Sequence, residues 1–367
     1  MALKGTKAGE GQAIISLREG VFYNPEMELC RDLSSLCLGA IGGKLSVVDA
    51  MCASGIRGLR YRKENRNVKS LALVDTSSRA VSLARRNAKS NKVKCRCARA
   101  DACEFLRRNE FDFVELDPFG SPAPYLHDAA YSFRTKKAGY LSVTATDMAV
   151  LCGAHYAACM KNYGALPLDN EFCHENAVRI LAGKVVLTCA PFNFAASPVF
   201  TLSHRHYVKM VFRLEWGSQG AVEAIKKLGF AAYCPQCCFR EAARIANKEK
   251  CPHCSHQLQY AGPLYTGLLW DEPVLKAMLA LNAEQGFRRA AQIEKLLRTQ
   301  LSESKITQYG YYDLHVIAKK TGGTIKSMDA ALAALRGAGF AAERTHFCPT
   351  ALRTSAPHEK FLGLVGK

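Results

Sequence analysis

The chain has 367 residues, of which 49% are hydrophobic and 22% are charged. This balance excludes a mostly disordered chain, and the length suits two or three domains of roughly 100–200 residues each. The formal net charge of +18, from 50 Lys and Arg against 32 Asp and Glu, favours a polyanionic partner such as nucleic acid.

The sequence also predicts where the protein resides. It has no apolar run near the roughly 18 residues that cross a bilayer, and its first twenty residues lack the apolar core of a secretory signal. We therefore expect a cytoplasmic protein with no membrane partner, whose sixteen cysteines are mostly reduced and buried. The sequence leaves the oligomeric state open, and a monomer is compatible with it.

Five strand-length runs in the first 150 residues each end in an aspartate. Helical patterns alternate with these runs, which predicts an α/β, Rossmann-like fold with a parallel sheet covered on both faces. Ligands bind beyond the carboxyl ends of the strands in such sheets, so the aspartates should line one edge. They are Asp49, Asp75, Asp101, Asp117 and Asp147.

The turn after the first of these strands, residues 49–58, reads DAMCASGIRG. Its small residues let a ligand approach the backbone, but it lacks the GxGxxG pattern of dinucleotide sites. Asp75 at the second strand end can accept hydrogen bonds from both hydroxyls of a ribose, and Asp101 at the third can meet an adenine amino group. A cofactor with a sugar and a base but no phosphate fits this pattern, which suggests S-adenosylmethionine.

Positive charge is concentrated around these strands. Residues 57–108 carry sixteen Lys and Arg and four Asp and Glu, a net charge of +12. Two-thirds of the excess charge thus lies in one seventh of the chain. A solubilising surface would not require this concentration, so a nucleic acid partner is favoured.

The fourth strand is followed by Asp117-Pro118-Phe119. An exocyclic amine of a nucleobase is a poor nucleophile because its lone pair is delocalised into the ring. A carboxylate fixed against the amine hydrogens localises that pair and can take up the proton that methylation releases. Proline fixes the backbone, and an aromatic ring can stack on the base. The motif therefore favours methyl transfer to a base amine, although a proline-bearing turn after a strand is common on its own.

Beyond residue 150 the pattern changes. Apolar runs at 184–190 and 206–215 predict two further strands, and residues 221–229 predict a short helix. A helical stretch follows at about 273–300, and the last sixty residues predict two helices and a basic tail. We place a domain boundary near residue 216, which divides the chain into 1–216 and 217–367.

Two CxxC pairs are separated by thirteen residues, and their members are Cys234, Cys237, Cys251 and Cys254. Four thiolates bind Zn²⁺ tetrahedrally in a closed site that leaves no position for catalysis. We therefore predict a structural zinc ribbon at 234–254. Cys238 and His253 lie nearby and leave the ligand assignment open.

The octapeptide DPFGSPAP at 117–124 resembles the signature of the tRNA (guanine-26-N2)-dimethyltransferase family in its archaeal type. The resemblance runs nearly from end to end of the chain. It continues at 19–34, 52–61, 144–153, 261–271, 311–320 and 344–354.

The resemblance implies a class I methyltransferase core with an N-terminal extension in 1–216. It implies a C-terminal α+β, tRNA-binding domain in 217–367 that includes the zinc ribbon element. The implied methyl donor is S-adenosylmethionine, the implied acceptor is the 2-amino group of guanine 26 in tRNA, and the expected product is N2,N2-dimethylguanosine.

Site roles follow from the resemblance position by position. Arg31 and Arg57 would help to hold the cofactor, with Arg57 engaging its carboxylate. Asp75, Asp101 and Ala102 would contact ribose and adenine.

On the acceptor side, Asp117 would be the catalytic acceptor and Phe119 would stack on the flipped guanine. Phe22 and Tyr23 would complete the wall of the pocket. Residues 344–347, followed by Arg353 and Thr354, mix cations, aromatic rings and hydroxyls, so we expect this tail to contact tRNA phosphate and sugar.

Two other functions remain open on the residues alone. An adenine-amino methyltransferase of nucleic acid uses the same Asp-Pro chemistry, but its motif usually has a second proline and a terminal aromatic residue. A non-catalytic, zinc-stabilised RNA-binding protein would bind tRNA without binding the cofactor. The intact strand-end carboxylates disfavour this last possibility.

Overall fold

The computed structural model describes residues 6–366. In the first 216 residues the strands are β1 (Lys7–Glu10), β2 (Ala13–Ser16), β3 (Leu45–Asp49), β4 (Val68–Asp75), β5 (Arg96–Arg99), β6 (Phe113–Leu116), β7 (Ala138–Ala145), β8 (Phe194–His204) and β9 (Tyr207–Trp216). The helices are α1 (Glu28–Ala40), α2 (Ile56–Glu64), α3 (Ser78–Ser90), α4 (Ala102–Arg108), α5 (Leu126–Tyr131), α6 (Met148–Leu151), α7 (Tyr156–Tyr163) and α8 (Cys173–Cys189).

The rest of the chain alternates strands and helices. Its strands are β10 (Leu228–Tyr233), β11 (Arg240–Ala243), β12 (Gln259–Tyr265), β13 (Tyr312–Asp313), β14 (Ala342–Arg344) and β15 (Ala351–Thr354). Its helices are α9 (Ser218–Ile225), α10 (Glu272–Gln285), α11 (Ala290–Glu303), α12 (Leu314–Thr321), α13 (Met328–Gly337) and α14 (His358–Val365).

A seven-stranded sheet with the order β5-β4-β3-β6-β7-β9-β8 organises the first half of the chain. The strands β3 to β7 pair in parallel, and β9 is antiparallel to both of its neighbours. From β3 the next strands are added on one side of the sheet as far as β5, and from β6 they are added on the other side. A crevice forms at such a switch point, outside the carboxyl ends of the strands. The predicted α/β fold with a parallel sheet is confirmed.

Two helices that start next to the crevice have side-chain N-caps. Ser77 caps α3 by accepting a hydrogen bond from the backbone N–H of Ala80 at 3.3 Å. Asp101 caps α4 by accepting one from Glu104 at 3.1 Å. Each cap satisfies an amide that would otherwise lack a partner at the helix start, so both helices begin immediately beyond a strand end, beside the crevice.

The strand predicted at 184–190 is wrong, because these residues end the long helix α8. Most residues of this helix are buried. Its sequence therefore lacks the 3.6-residue period of apolar and polar positions that marks a surface helix. A short apolar run rich in Val then looks the same as a buried strand. The strand predicted at 206–215 is confirmed as β9, whereas its partner β8 was not predicted.

The C-terminal tail also differs from the prediction. Two helices, α12 and α13, occur as expected, but β14, β15 and α14 take the place of a basic tail. Thr345, Phe347, Arg353 and Thr354 are buried, and Arg353 forms an ion pair with Glu175 of α8 at 2.7 Å. The expectation that these four residues contact tRNA is therefore wrong, because they pack the tail onto the rest of the molecule.

The two predicted domains, 1–216 and 217–367, are in contact with each other. The chain leaves the large sheet at the end of β9 and enters a three-stranded sheet, β11-β10-β12, while β13, β15 and β14 form another. Gln285 at the end of α10 donates a hydrogen bond to the backbone oxygen of Glu64 at 2.9 Å. The division at residue 216 stays a prediction. None of the helices within residues 6–366 combines the length and apolar character needed to cross a membrane.

Candidate active site

A cavity of about 490 Å³ lies at the carboxyl ends of β3, β4 and β6. This size falls within the roughly 300–1,000 Å³ of small-molecule sites. The cavity is lined by all seven residues predicted for catalysis and cofactor binding, which are Arg31, Arg57, Asp75, Asp101, Ala102, Asp117 and Phe119, and also by Phe22 and Tyr23. The fold therefore brings the predicted residues together, while their individual roles stay predictions.

The turn between β3 and α2 forms the floor of the cavity. Gly55 has a φ of +82°, and a Cβ there would come within 3.1 Å of the Ala84 Cβ in α3. Glycine is thus required both by the backbone conformation and by the close approach of α3. The backbone N–H of Ala53 donates to the Asp75 carboxylate at 2.9 Å, which ties this turn to the end of the next strand.

Two carboxylates at neighbouring strand ends face the cavity. Asp75 is partly buried and accepts hydrogen bonds from the backbone of Ala53 and Ser77, each at 2.9 Å, so its geometry is fixed before a ligand arrives. Asp101 is exposed and lies one residue before Ala102, which is buried against the core. Carboxylate oxygens in these positions fit a ribose diol and an adenine amino group, which matches the cofactor predicted from the sequence.

Arg31 and Arg57 both line the cavity, but they are held differently. Arg31 donates through Nε to Glu10 at 2.7 Å and through Nη2 to the Asn24 backbone oxygen at 2.9 Å. Its Nη1 makes no hydrogen bond within residues 6–366, so that nitrogen is free to donate to the carboxylate of a ligand. Arg57 instead donates to Asp117 and, at 3.1 Å, to Ser34. Both arginines line the cavity, and their predicted contacts with the cofactor stay predictions.

Asp117 follows β6 and opens onto the cavity. Burial raises the pKa of this carboxyl, but the nearby Arg57 and Lys209 cations lower it more, so its net pKa lies below the ordinary value. The group is therefore an anion at neutral pH and can accept hydrogen bonds. Gly120 has a φ of +77° and its N–H donates to the Thr146 hydroxyl at 2.8 Å, which shapes the loop after the motif.

Phe119 lies beside Asp117 with 78% of its surface exposed. Its ring meets that of Phe22 edge to face, with centroids 4.8 Å apart. Large exposed aromatic rings on a rim of this kind commonly mark binding sites. A planar base entering the cavity mouth could stack on the free face of Phe119.

Several buried groups that organise the site were missed by sequence reasoning. Glu10 in β1 anchors Arg31 and accepts from the Tyr23 hydroxyl at 2.7 Å, and a four-residue strand gives little signal. Glu115 pairs with Lys209 of β9 and accepts from the Tyr61 hydroxyl at 2.7 Å. An acid inside the apolar run FVEL was a visible signal, because a buried charge requires a partner.

The four cysteines of the predicted zinc ribbon converge. The Sγ atoms of Cys234 and Cys254 are 3.4 Å apart, and those of Cys237 and Cys251 are 3.6 Å apart. All four sulfur atoms lie within 4.8 Å of one another, as tetrahedral coordination of one Zn²⁺ requires. The neighbouring Cys238 does not belong to this group.

Comparison with known proteins places this geometry in a family. A family model described as N2,N2-dimethylguanosine tRNA methyltransferase matches residues 5–365. The chain belongs to this family. The predicted family, methyltransferase fold and enzyme class are thereby confirmed.

Individual relatives agree along the whole chain. A Methanothermobacter thermautotrophicus tRNA (guanine(26)-N(2))-dimethyltransferase is 36% identical, with 93% of this chain and 91% of the relative covered. An Aquifex aeolicus tRNA (guanine(26)-N(2)/guanine(27)-N(2))-dimethyltransferase is 35% identical, with 93% and 88% covered. The solved structure of Pyrococcus horikoshii Trm1 in complex with S-adenosyl-L-methionine superposes with a TM-score of 0.90 at 31% identity, covering 99% of this chain and 100% of that one.

Proposed function

We propose that this protein methylates the exocyclic N2 of guanine 26 in tRNA to N2,N2-dimethylguanosine, with S-adenosylmethionine as the donor, in the cytoplasm. The observation that carries the proposal is the Asp117 carboxylate, which lines the cavity two residues before the exposed ring of Phe119. Family membership supports the reaction class, and the lack of disulfide bonds within residues 6–366 fits a reducing compartment.

Cofactor binding is assigned to residues on the sheet side of the cavity. Asp75 would accept the ribose hydroxyls, Asp101 and the backbone of Ala102 would meet the adenine, and the free Nη1 of Arg31 would pair with the carboxylate. When bound, S-adenosylmethionine supplies an electrophilic methyl carbon next to the acceptor pocket. Arg57 acts differently in this proposal, because it positions Asp117.

On the acceptor side, Asp117 accepts a hydrogen bond from the guanine amine and aims the nitrogen lone pair at the methyl carbon. Phe119 stacks on the base and holds its plane. As the new N–C bond forms and the C–S bond breaks, the amine proton passes to the carboxylate and then to solvent. Because the pKa of Asp117 lies below its ordinary value, we expect its main contribution to come from orientation rather than from proton storage.

The tRNA partner is supported by a basic face on the sheet edge. Residues 76–100, which form α3 and the edge strand β5, contain eight Lys and Arg and no Asp or Glu. None of these cations forms an ion pair within residues 6–366, and Arg85, Arg86 and Lys89 project from the exposed side of α3. Unpaired cations beside the cofactor cavity suit the phosphates of an RNA backbone.

The test is a methylation assay with purified protein, S-adenosylmethionine and unmodified tRNA, followed by nucleoside analysis. Asp117→Asn keeps the shape of the side chain and removes the anion, so we expect a loss of roughly 10²–10⁴-fold in rate, with cofactor affinity retained. Asp329→Asn is the matched control, because this carboxylate is exposed in the first turn of α13 and does not line the cavity.

The product decides between the candidate functions. Dimethylguanosine that disappears when guanine 26 is replaced supports the proposal. Methyladenosine would move the enzyme to the adenine-amino class, and tRNA binding without any product would favour the non-catalytic RNA-binding protein.

A further inference from the structure

A second group of metal-ligand side chains lies outside both the cavity and the four-cysteine site. Its members are Cys152, Cys173 and His174, whose ligand atoms all fall within 4.8 Å of one another. The Cys152 Sγ lies 3.9 Å from the His174 Nδ1. The sequence contains no CxxC or HxxH motif at these positions, so the group is visible only in the fold. Folding brings Cys152 next to two residues that lie about twenty positions further along the chain.

The backbone explains why the three side chains meet. Cys152 directly follows α6, while Cys173 and His174 are the first two residues of α8. The turn after α6 passes very close to the segment before α8. Gly153 has a φ of +107°, and a Cβ there would lie only 2.8 Å from the backbone nitrogen of Asp169. A larger residue could not bring these two segments so close together.

The chemistry of the three donors selects the ion. Thiolate and imidazole ligands are preferred by Zn²⁺, and a site with three protein ligands is completed by a water molecule. All three side chains are partly exposed, so water and the ion can reach them. Two thiolates neutralise the charge of one Zn²⁺, and the two thiol protons leave to solvent on binding.

We propose that Cys152, Cys173 and His174 bind a second Zn²⁺ ion, which fixes the end of α6 to the start of α8. The site is separate from the four-cysteine ribbon in the chain and has a different donor set.

The ion would stabilise the segment that supports the loop after Asp117. Helix α6 begins beyond Asp147, whose carboxylate accepts from the Tyr163 hydroxyl at 2.8 Å. The Tyr163 oxygen in turn accepts from the Ser121 hydroxyl at 2.9 Å. Ser121 belongs to the loop that carries Phe119, so the second ion would hold one end of this hydrogen-bonded chain in place.

The first experiment counts zinc ions in the full-length protein purified in buffer without chelators. Native mass spectrometry and elemental analysis should give two equivalents per chain. Cys173→Ser and His174→Gln should each lower the count to one, and Cys254→Ser should remove the other equivalent. Cys189→Ser is the control, because that thiol is buried at the end of α8 outside both groups, and it should retain two.

Cobalt substitution gives a second readout that does not depend on activity. The thiolate-to-Co²⁺ absorption of the wild-type protein should exceed that of His174→Gln by the contribution of a two-thiolate site. Circular dichroism of each sample shows that it is folded. If Cys173→Ser does not fold, His174→Gln, with its partly exposed side chain, still tests the proposal.

Two outcomes would overturn the inference. One is a single zinc equivalent in the wild-type protein that is unchanged in His174→Gln. The other is a Cys152–Cys173 disulfide in protein purified without reductant, which would assign the two sulfur atoms to a covalent link instead of a metal ion.

Discussion

The exposed side chain of Phe119 contributes little buried apolar area to the fold. We therefore expect its main role to be contact with the tRNA base. We expect Phe119→Leu to lower kcat/KM for tRNA by roughly 10- to 100-fold, because stacking of one base on an aromatic ring contributes about 1–3 kcal/mol. Cofactor affinity should change less than about twofold. The measurement is single-turnover methylation together with calorimetric titration of the cofactor.

Phe119→Tyr keeps the stacking surface and should retain most of the activity. The control is Trp216→Leu, which removes an exposed aromatic ring at the end of β9, 57% exposed, and should leave methylation unchanged. Equal activity of the Leu and Tyr variants at position 119 would contradict a stacking role.

Asp49 lies at the end of β3 with its carboxyl almost fully buried. Burial raises its pKa to about 7, against the attraction of Arg57. In the unfolded chain this group ionises near pH 4, so the native state binds the proton more tightly. The associated stability is present at low pH and is lost as the pH rises towards 7.

Asp49→Asn removes this titration while keeping a hydrogen-bond acceptor for the Gly58 N–H, which lies 3.2 Å from the carboxylate. We expect the variant to be more stable than wild type at pH 8, by on the order of 1–3 kcal/mol, and the difference to shrink towards pH 4. Urea unfolding at both pH values measures it. A variant that is less stable than wild type at pH 8 would contradict the raised pKa of Asp49.

The positions of some site residues can be predicted from the sequence, whereas their contacts cannot. The strand-end carboxylates Asp75, Asp101 and Asp117 were found because strand ends converge on one edge of a parallel sheet. Arg57 lines the cavity as predicted, but its ion pair with Asp117 does not follow from the sequence. Its partner depends on how α2 sits against β6, and spacing along the chain does not encode that relation.

At the scale of elements, helix α8 is the main contact between the large sheet and the C-terminal strands. Glu175 in its first turn pairs with Arg353 of β15 at 2.7 Å and with Arg179 at 2.8 Å. Burial raises the pKa of Glu175, but the two guanidinium groups outweigh it and bring the pKa to about 2. The pair therefore stabilises the fold above pH 4.5 and loses this effect as the pH falls towards 2.

Arg353→Met should lower the free energy of unfolding by roughly 3–5 kcal/mol, since it leaves a buried carboxylate with one partner fewer. Arg344→Met on the same tail should change it by about 0.5 kcal/mol or less, because the ion pair of this half-exposed residue with Asp329 lies at the surface. Denaturant unfolding of both variants checks the difference. If Arg353→Met instead weakened tRNA binding at unchanged stability, the tail would be an RNA contact after all.

The same helix shows why elements differ in how well they can be predicted. Strands β3, β4, β6 and β7 were predicted because turn residues follow each short apolar run. Most residues of helix α8 are buried, so the periodicity of its apolar residues does not distinguish it from a strand. The length of the whole segment, 17 residues, does so, because strands are usually about 4–8 residues long. The strand β8 was missed because Pro198 interrupts its pattern, and the structure accommodates that residue beside an irregularity in the pairing with β9.

For the whole molecule, the basic face predicts how tRNA binding depends on salt. Replacing Arg85, Arg86 and Lys89 by Ala removes up to three phosphate contacts, so the slope of log Kd against log salt concentration should fall by about 2–3. Cofactor affinity should be unaffected. Filter binding between low and moderate salt gives the slope.

The control removes three exposed cations that already pair with a Glu three or four residues earlier in the chain, Lys226, Lys276 and Arg298. It has the same net charge as the test variant but should keep the wild-type slope. Equal slopes for the two triple variants would mean that net charge, rather than this face, governs binding.

The two halves of the chain are closely joined across helix α1. Leu281 of α10 packs against α1 at Gly39, where a Cβ would approach the leucine to 3.0 Å, and Arg289 lies 3.6 Å from the buried Glu28. Helix α1 also carries Arg31. We therefore expect a fragment ending at residue 216 to expose an apolar face of α1 and to lose order around the cofactor cavity.

The strand order has a consequence for protein synthesis. Strand β7 receives its outer neighbour only when β9, about 70 residues further along the chain, has left the ribosome. At roughly 5–20 residues per second, the backbone N–H and C=O groups on this edge of β7 stay unpaired for several seconds in each nascent chain. During that interval, neighbouring nascent chains on one messenger could pair through this edge. Fast translation or chaperone capture across codons 146–216 should therefore raise the yield of folded protein.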